Sequence, residues 1–219
     1  SGDELIYGGL GGDSISGDYG NDLIYGDSGL DSIAGGLGND RIYGGSGNDA
    51  MTGDGGNDTL FGGSGADSLA SGTGADTLIG GSGDDAYLVE GTVNVIIETA
   101  DGGHDGVGVL DTTFTLPDFV EDAVALGTRA SIIGNSAANV LAGYTNTEAW
   151  LYGREGDDTI LGGSGKEVGF GDTGSDTLLG YEGADSLFGG RGDDSLSGGT
   201  GLDTLEGDSG SDLLQGDSG

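Results

Sequence analysis

The 219-residue chain contains no cysteine, so disulfide staples and thiol chemistry are excluded. It has a single histidine, His104, and no cysteine to pair with it, and no nucleophile–base constellation is expected. Lysine and arginine together number 5 against 39 acids, a formal net charge of −34. No basic stripe exists for nucleic acid, and a bare anionic membrane would repel the chain. No run is long and apolar enough for a transmembrane helix, and no N-terminal signal-peptide pattern is expected. Proline occurs once, whereas glycine occurs 54 times. A chain this acidic and this poor in apolar residues is expected to be expanded and disordered in the absence of counter-ions.

What is present is a repeat. From Gly8 to Leu88 the chain reads as consecutive nine-residue units, opening at Gly8, Gly17, Gly26, Gly35, Gly44, Gly53, Gly62, Ser71 and Gly80. A second array opens at Gly153 and continues at 162, 171, 180, 189, 198, 207 and 216. Typical units are GGSGNDAMT (44–52) and GGSGADSLA (62–70). Fixed-period self-similarity points to a solenoid rather than a globule.

The sixth position of each unit is acidic. In the first array these are Asp13, Asp22, Asp31, Asp40, Asp49, Asp58, Asp67, Asp76 and Asp85, preceded by Glu4 in a partial unit. In the second they are Asp158, Glu167, Asp176, Asp185, Asp194, Asp203 and Asp212. Glycines at positions one and four are expected to adopt positive φ and turn carbonyls inward. The last three residues of a unit make a minimal strand, and the eighth points inward: Ile15, Ile24, Ile33, Ile42, Met51, Leu60, Leu69, Leu78 and Tyr87. The second array supplies Ile160, Leu178, Leu187, Leu196, Leu205 and Leu214, with Gly169 as a gap.

One buried aliphatic per unit falls short of the entropy lost by ordering nine residues, and rows of carboxylates add repulsion. A cation must close the difference. Aspartate rows beside inward carbonyls form an all-oxygen cage, which suits Ca²⁺ before Mg²⁺ because the ligands are many and flexible.

The units resemble the RTX (repeats-in-toxin), haemolysin-type nonapeptide repeat GGxGxDxUx of secreted bacterial proteins, a Ca²⁺-binding repeat. The resemblance implies an all-β fold: a parallel β-roll or β-helix solenoid with two units per coil, so that successive units lie on opposite sides. It places Ca²⁺ between units n and n+2, held by the sixth-position acids and turn carbonyls. Counting such pairs gives about 13 ions, eight in the first array and five in the second. Their charge of about +26 would leave the chain near −8.

Three segments follow. Residues 1–88 and 153–219 are the arrays, and 89–152 is a connecting stretch expected to be a wider, Ca²⁺-poor β-helical continuation. Strand signals of period two fall at 93–97, 107–110, 114–116 and 123–126. Asp85, Tyr87 and Val89 resemble the D-x-Y-x-V that leads into such segments. His104 reads as a solvated turn residue. Asn139 stands where a unit's acid belongs, so no strong ion site is expected there. Trp150, in a ten-residue unit at 143–152, is expected to pack as a plug.

Two minor patterns remain open. Aspartate often takes position two, at Asp18, Asp27, Asp54, Asp172, Asp208 and Asp217. It is there either because any residue supplies a carbonyl or as an outer-shell acid. Position nine carries Tyr7, Tyr25, Tyr43, Phe61 and Ile79 at eighteen-residue intervals, and Tyr152, Phe170 and Phe188 in the second array. These form either a stiffening ladder or an apolar stripe for a neighbouring domain or subunit.

No catalytic role is expected. The Gly-x-Gly strings lack a following Lys-Ser/Thr and are crowded by acids that repel phosphate. The paired acids have no substrate cleft. Arg191-Gly192-Asp193 is a by-product of repeat phase. The resemblance implies type I secretion and folding on extracellular calcium at the bacterial cell surface, as part of an S-layer protein or adhesin. The alternative is a non-catalytic module of a secreted protease, lipase, alginate epimerase or haemolysin. Partners are calcium and either further copies or neighbouring domains of the same protein. Ser1 and Gly219 both fall inside a unit, so the chain is expected to be an excerpt of a longer protein.

Overall fold

The computed structural model describes residues 2–91, 93–144 and 148–219. Among them every regular element is a β-strand, and the strands pair in parallel. The chain divides into two compact units, Ser1–Val107 and Gly108–Gly219.

In the first unit one sheet stacks Leu5–Leu10, Leu23–Ser28, Arg41–Ser46, Thr59–Ser64, Thr77–Ser82 and Val95–Ile97. A second stacks Ser14–Ser16, Ser32–Leu37, Ala50–Gly55, Ser68–Ala70 and Ala86–Glu90. Successive units alternate between the sheets, and each residue pairs with the one 18 positions on, as Ile24 with Ile42 and Tyr25 with Tyr43. The second unit repeats the plan. Thr113–Thr115, Arg129–Ile133, Glu148–Glu155, Val168–Thr173, Ser186–Arg191 and Thr204–Ser209 form one sheet. Asp122–Leu126, Val140–Ala142, Thr159–Leu161, Thr177–Leu179, Ser195–Ser197 and Leu213–Gln215 lie in the other.

The core is a file of single side chains. Ile24, Ile33, Ile42, Met51, Leu60, Leu69, Leu78 and Tyr87 are buried, as are Ile160, Leu178, Leu187 and Leu196. Stacked coils bury what one coil cannot, so exposure returns at the ends of the stack. Ile15 and Leu205 are half-buried, and Leu214, expected inside, is 43% exposed.

Backbone geometry corrects the expected role of the glycines. Positive φ falls at positions two and four, not one and four: Gly45 (114°) and Gly47 (127°) are left-handed, whereas Gly44 is not. All six position-two aspartates are left-handed as well, from 53° at Asp217 to 71° at Asp27. That explains their residue type better than carbonyl supply or an outer-shell charge, since aspartate tolerates this region far better than β-branched residues do. Asp27→Gly is therefore expected to leave stability unchanged within experimental scatter. Asp27→Val should destabilise the calcium-loaded chain by about 1–2 kcal/mol in urea denaturation.

The position-nine side chains stack as their spacing predicts. Ring centroids lie 5.1 Å apart for Tyr7–Tyr25, 4.9 Å for Tyr25–Tyr43 and 4.6 Å for Tyr43–Phe61, with planes within 8°. Tyr152, Phe170 and Phe188 form a second ladder at 4.9 Å. The Arg41 guanidinium lies 4.8 Å from the Phe61 ring centroid, capping the first ladder with a cation–π contact.

Within each unit the connecting stretch keeps the coil. Strands form at Val95–Ile97, Gly106–Leu110, Thr113–Thr115 and Asp122–Leu126, close to the period-two signals, and also at Arg129–Ile133 and Val140–Ala142. Its pairings keep the eighteen-residue step, as Thr113 with Ser131 and Asp122 with Val140. Widening is limited to inserted residues, as where Arg129 pairs with Glu148. Residues 145–147 of the ten-residue unit lie outside the described residues. Trp150 is no plug: it is 37% exposed, while its strand neighbours Ala149 and Leu151 are buried. The two-residue alternation of a strand puts it on the outer face.

Candidate metal centre

Each sixth-position acid sits where a glycine turn enters a strand, and its two carboxylate oxygens have different fates. From Asp22 on, Glu167 apart, one accepts the backbone N–H of the sixth-position residue one coil earlier. The N–H of Asp22 donates to Asp40 Oδ1 at 2.8 Å, Asp31 to Asp49 at 2.9 Å and Asp40 to Asp58 at 2.8 Å. This ladder begins with Glu4 N–H on Asp22 Oδ1 at 2.7 Å. It recurs from Asp158 on Asp176 to Asp194 on Asp212.

The other oxygen has no hydrogen-bond partner although it is buried. This holds for Oδ2 of Asp13, Asp22, Asp31, Asp40, Asp49, Asp58, Asp67, Asp76 and Asp85. It holds again for Asp158, Asp176, Asp185, Asp194 and Asp203, and for Oε1 of Glu167. From Asp22 to Asp85 and from Asp158 to Asp194 the predicted acids are buried, whereas Glu4, Asp13, Asp203 and Asp212 are only half-buried at the array ends. A buried carboxylate oxygen left unsatisfied costs about 1–3 kcal/mol or more, so a row of them calls for a ligand.

The position-one glycines show the space that ligand would fill. A Cβ added at Gly44 would stand 2.5 Å from Asp49 Oδ2 and 2.7 Å from the Gly62 carbonyl oxygen. At Gly26 the distances are 2.6 Å to Asp31 Oδ2 and 2.6 Å to the Gly44 carbonyl oxygen, and at Gly180 they are 2.6 Å to Asp185 Oδ2 and 2.5 Å to the Gly198 carbonyl oxygen. A methyl group does not fit at such separations, but they match Ca²⁺–oxygen bonds of about 2.3–2.6 Å. Glycine at position one is thus set by close approach to this cradle. The donors are hard, anionic and neutral oxygens, so the residues present fit calcium.

Electrostatics agree. Burial pushes Asp58 up to about 7 against the lowering effect of the Asp40 N–H, and the Asp76 and Asp40 charges add to it. Burial likewise raises Asp158 and Glu167 to about 7 and Asp67 and Asp176 to about 6. Without a cation these acids keep protons well above the ordinary carboxylate range, and a bound divalent ion would displace them.

Two departures show what the cradle requires. Ser71 replaces a position-one glycine and is fully buried, with its hydroxyl accepting the N–H of Glu90 at 3.1 Å. Asn139 replaces an acid. Its Nδ2 donates to the carbonyls of Val120 at 3.2 Å and Glu121 at 3.1 Å, and its Oδ1 accepts the N–H of Asn135 at 2.9 Å, so both ends of this neutral amide are hydrogen-bonded without a cation.

One acid escaped the repeat pattern. Asp105 Oδ1 accepts the N–H of Asp85 at 2.8 Å, as the acids of the ladder do, but across 20 residues rather than 18. Its turn, Gly102-Gly103-His104-Asp105, was the available signal, since Gly103 has the positive φ of position four (139°). His104 is exposed, and its N–H donates to Asp84 Oδ1 at 2.9 Å. Among the described residues no helix is long and apolar enough to cross a membrane.

Residues 1–33, 25–60, 61–88, 150–166, 161–196, 170–205 and 197–219 match the RTX calcium-binding nonapeptide repeat (four copies). No curated protein matches the chain. The matched spans cover well over half of the sequence and coincide with both rows of buried carboxylates. The chain therefore belongs to the RTX nonapeptide-repeat family, whose repeats bind calcium.

Proposed function

We propose that this chain is a non-catalytic, calcium-loaded structural β-roll of a secreted or cell-surface bacterial protein of S-layer or adhesin type. It leaves the cell unfolded by type I secretion and folds on extracellular calcium. The supporting observation is the file of buried, unpartnered carboxylate oxygens facing glycine cradles. Sites of this kind empty at cytosolic calcium and fill at extracellular calcium, so the chain is threadable inside the cell and compact outside. Glu4 and the sixth-position acids, from Asp13 to Asp85 and from Asp158 to Asp212, are the proposed ligands.

Assembly is the part of this reading that separates it from an accessory module of a secreted enzyme or toxin. In millimolar calcium the chain is expected to form ordered arrays on electron micrographs and to disperse in chelator. A monodisperse chain in calcium would remove the self-assembling role and leave the accessory module. Tyr25→Ser with Tyr43→Ser distinguishes the two uses of the aromatic ladder. Loss of three ring contacts should cost about 1.5–4.5 kcal/mol of stability. If assembly persists despite that loss, the ladder stiffens the sheet and is not a docking stripe.

A further inference from the structure

Three carboxylates converge where the first array loses its phase. Asp85, Glu98 and Asp105 each place one oxygen within 4.8 Å of the other two, and all three are buried. Asp85 is the last regular sixth-position acid. Glu98 follows the strand Val95–Ile97, 18 residues after Gly80, at the register of a position-one glycine. Asp105 arrives from the lengthened turn. Elsewhere in the array a position-one backbone carbonyl closes the cradle, whereas here the Glu98 side chain reaches back over Gly80. A Cβ at Gly80 would meet Asp85 Oδ2, the Tyr87 hydroxyl and, at 2.5 Å, Glu98 Oε1. A Cβ at Gly102 would meet Glu98 Oε2 at 2.7 Å, the Thr99 carbonyl oxygen at 2.9 Å and Asp105 Oδ2 at 3.1 Å.

The cluster is organised from outside. The Tyr87 hydroxyl donates to Glu98 Oε1, and the Thr99 N–H donates to Glu98 Oε2 at 3.1 Å. The Asp85 N–H holds Asp105 Oδ1. Asp85 Oδ2, on a side chain only 3% exposed, has no hydrogen-bond partner and faces Glu98 Oε1 across Gly80.

We propose that Asp85, Glu98 and Asp105 form a calcium site distinct from the repeat sites, built from three side-chain carboxylates and closing the first array. Tyr87 is its positioning residue: it fixes the Glu98 rotamer through the phenol. Three negative charges on one divalent ion exceed what a repeat cradle offers, and charge count is a main determinant of calcium affinity. The site therefore fills first as calcium rises, and the ordered last coil becomes a template from which earlier coils add. This takes from the preceding reading only that calcium is the available ion.

The test is calcium binding by equilibrium dialysis on the full chain, stripped of metal, beside the variant carrying Glu98→Gln and Asp105→Asn. The wild type should show one class of site at least about tenfold tighter than the rest. The variant should lose that class and still fold at millimolar calcium on the repeat sites. An unchanged tight class in the folded variant overturns the proposal. Should the variant fail to fold, sub-stoichiometric terbium on the wild type and on Tyr87→Phe decides it. Tyrosine-sensitised emission that Tyr87→Phe abolishes supports the site, and emission that persists undiminished overturns it. Repeat sites that bind normally with no tight class sink this proposal alone, whereas a chain that binds no calcium sinks the preceding reading too.

Discussion

Dialysed free of divalent ions at about pH 8, the chain is expected to lose its β-structure completely and swell to a random chain. Each unsatisfied buried oxygen costs about 1–3 kcal/mol. The eight from Asp22 to Asp85 alone then cost about 8–24 kcal/mol, which matches or exceeds the roughly 5–15 kcal/mol by which a folded domain is stable. The net charge of −34 adds repulsion that only counter-ions remove. Far-ultraviolet circular dichroism and hydrodynamic radius should both report compaction when calcium returns. Folding and protease resistance that persist without ions would show that bound cations are not what holds the solenoid together.

Acid should partly substitute for calcium, and the sign follows from the buried acids. Asp58, Asp85 and Asp158 rise from the ordinary 3.8 to about 7 in the metal-free solenoid, chiefly through burial. The folded form therefore holds more protons than the unfolded chain between those values. Its ion-free stability is greatest below the ordinary carboxylate range and is lost as pH climbs through about 7. Calcium competes with the same protons, so the calcium midpoint should move to higher concentration as pH falls below 7.

The second large effect is expected from Asp40→Asn with Asp58→Asn. Each substitution keeps the Oδ1 that accepts the N–H of Asp22 or Asp40, and removes the charge that faces the cradle. Asn139 shows that a coil tolerates the amide when its Nδ2 finds carbonyls. The chain should still fold, but across a gap in its ion row. Solenoid coils interact only with their neighbours, so the gap splits one cooperative block into two. The calcium midpoint of the dichroism titration should rise about tenfold and the transition should broaden. An unchanged titration would show that these acids do not hold the ion.

Much of the fold and most of the candidate site were legible in the amino-acid sequence. Every coil meets only copies of itself, so the same residue type recurs at the same step: Ile24 over Ile42, Asp22 beside Asp40, Tyr25 on Tyr43. A structure whose contacts lie one period away writes that period into its sequence. What tertiary structure alone decided lies where the phase is lost or where backbone conformation rules. The aspartates at position two answer to φ rather than to charge, and Trp150 faces outward because strand alternation puts it there. Asp105 meets Asp85 across 20 residues, a step that no repeat spacing encodes. Inserted residues shift the register without erasing the coil, and only the folded path determines which carboxylates then share one space.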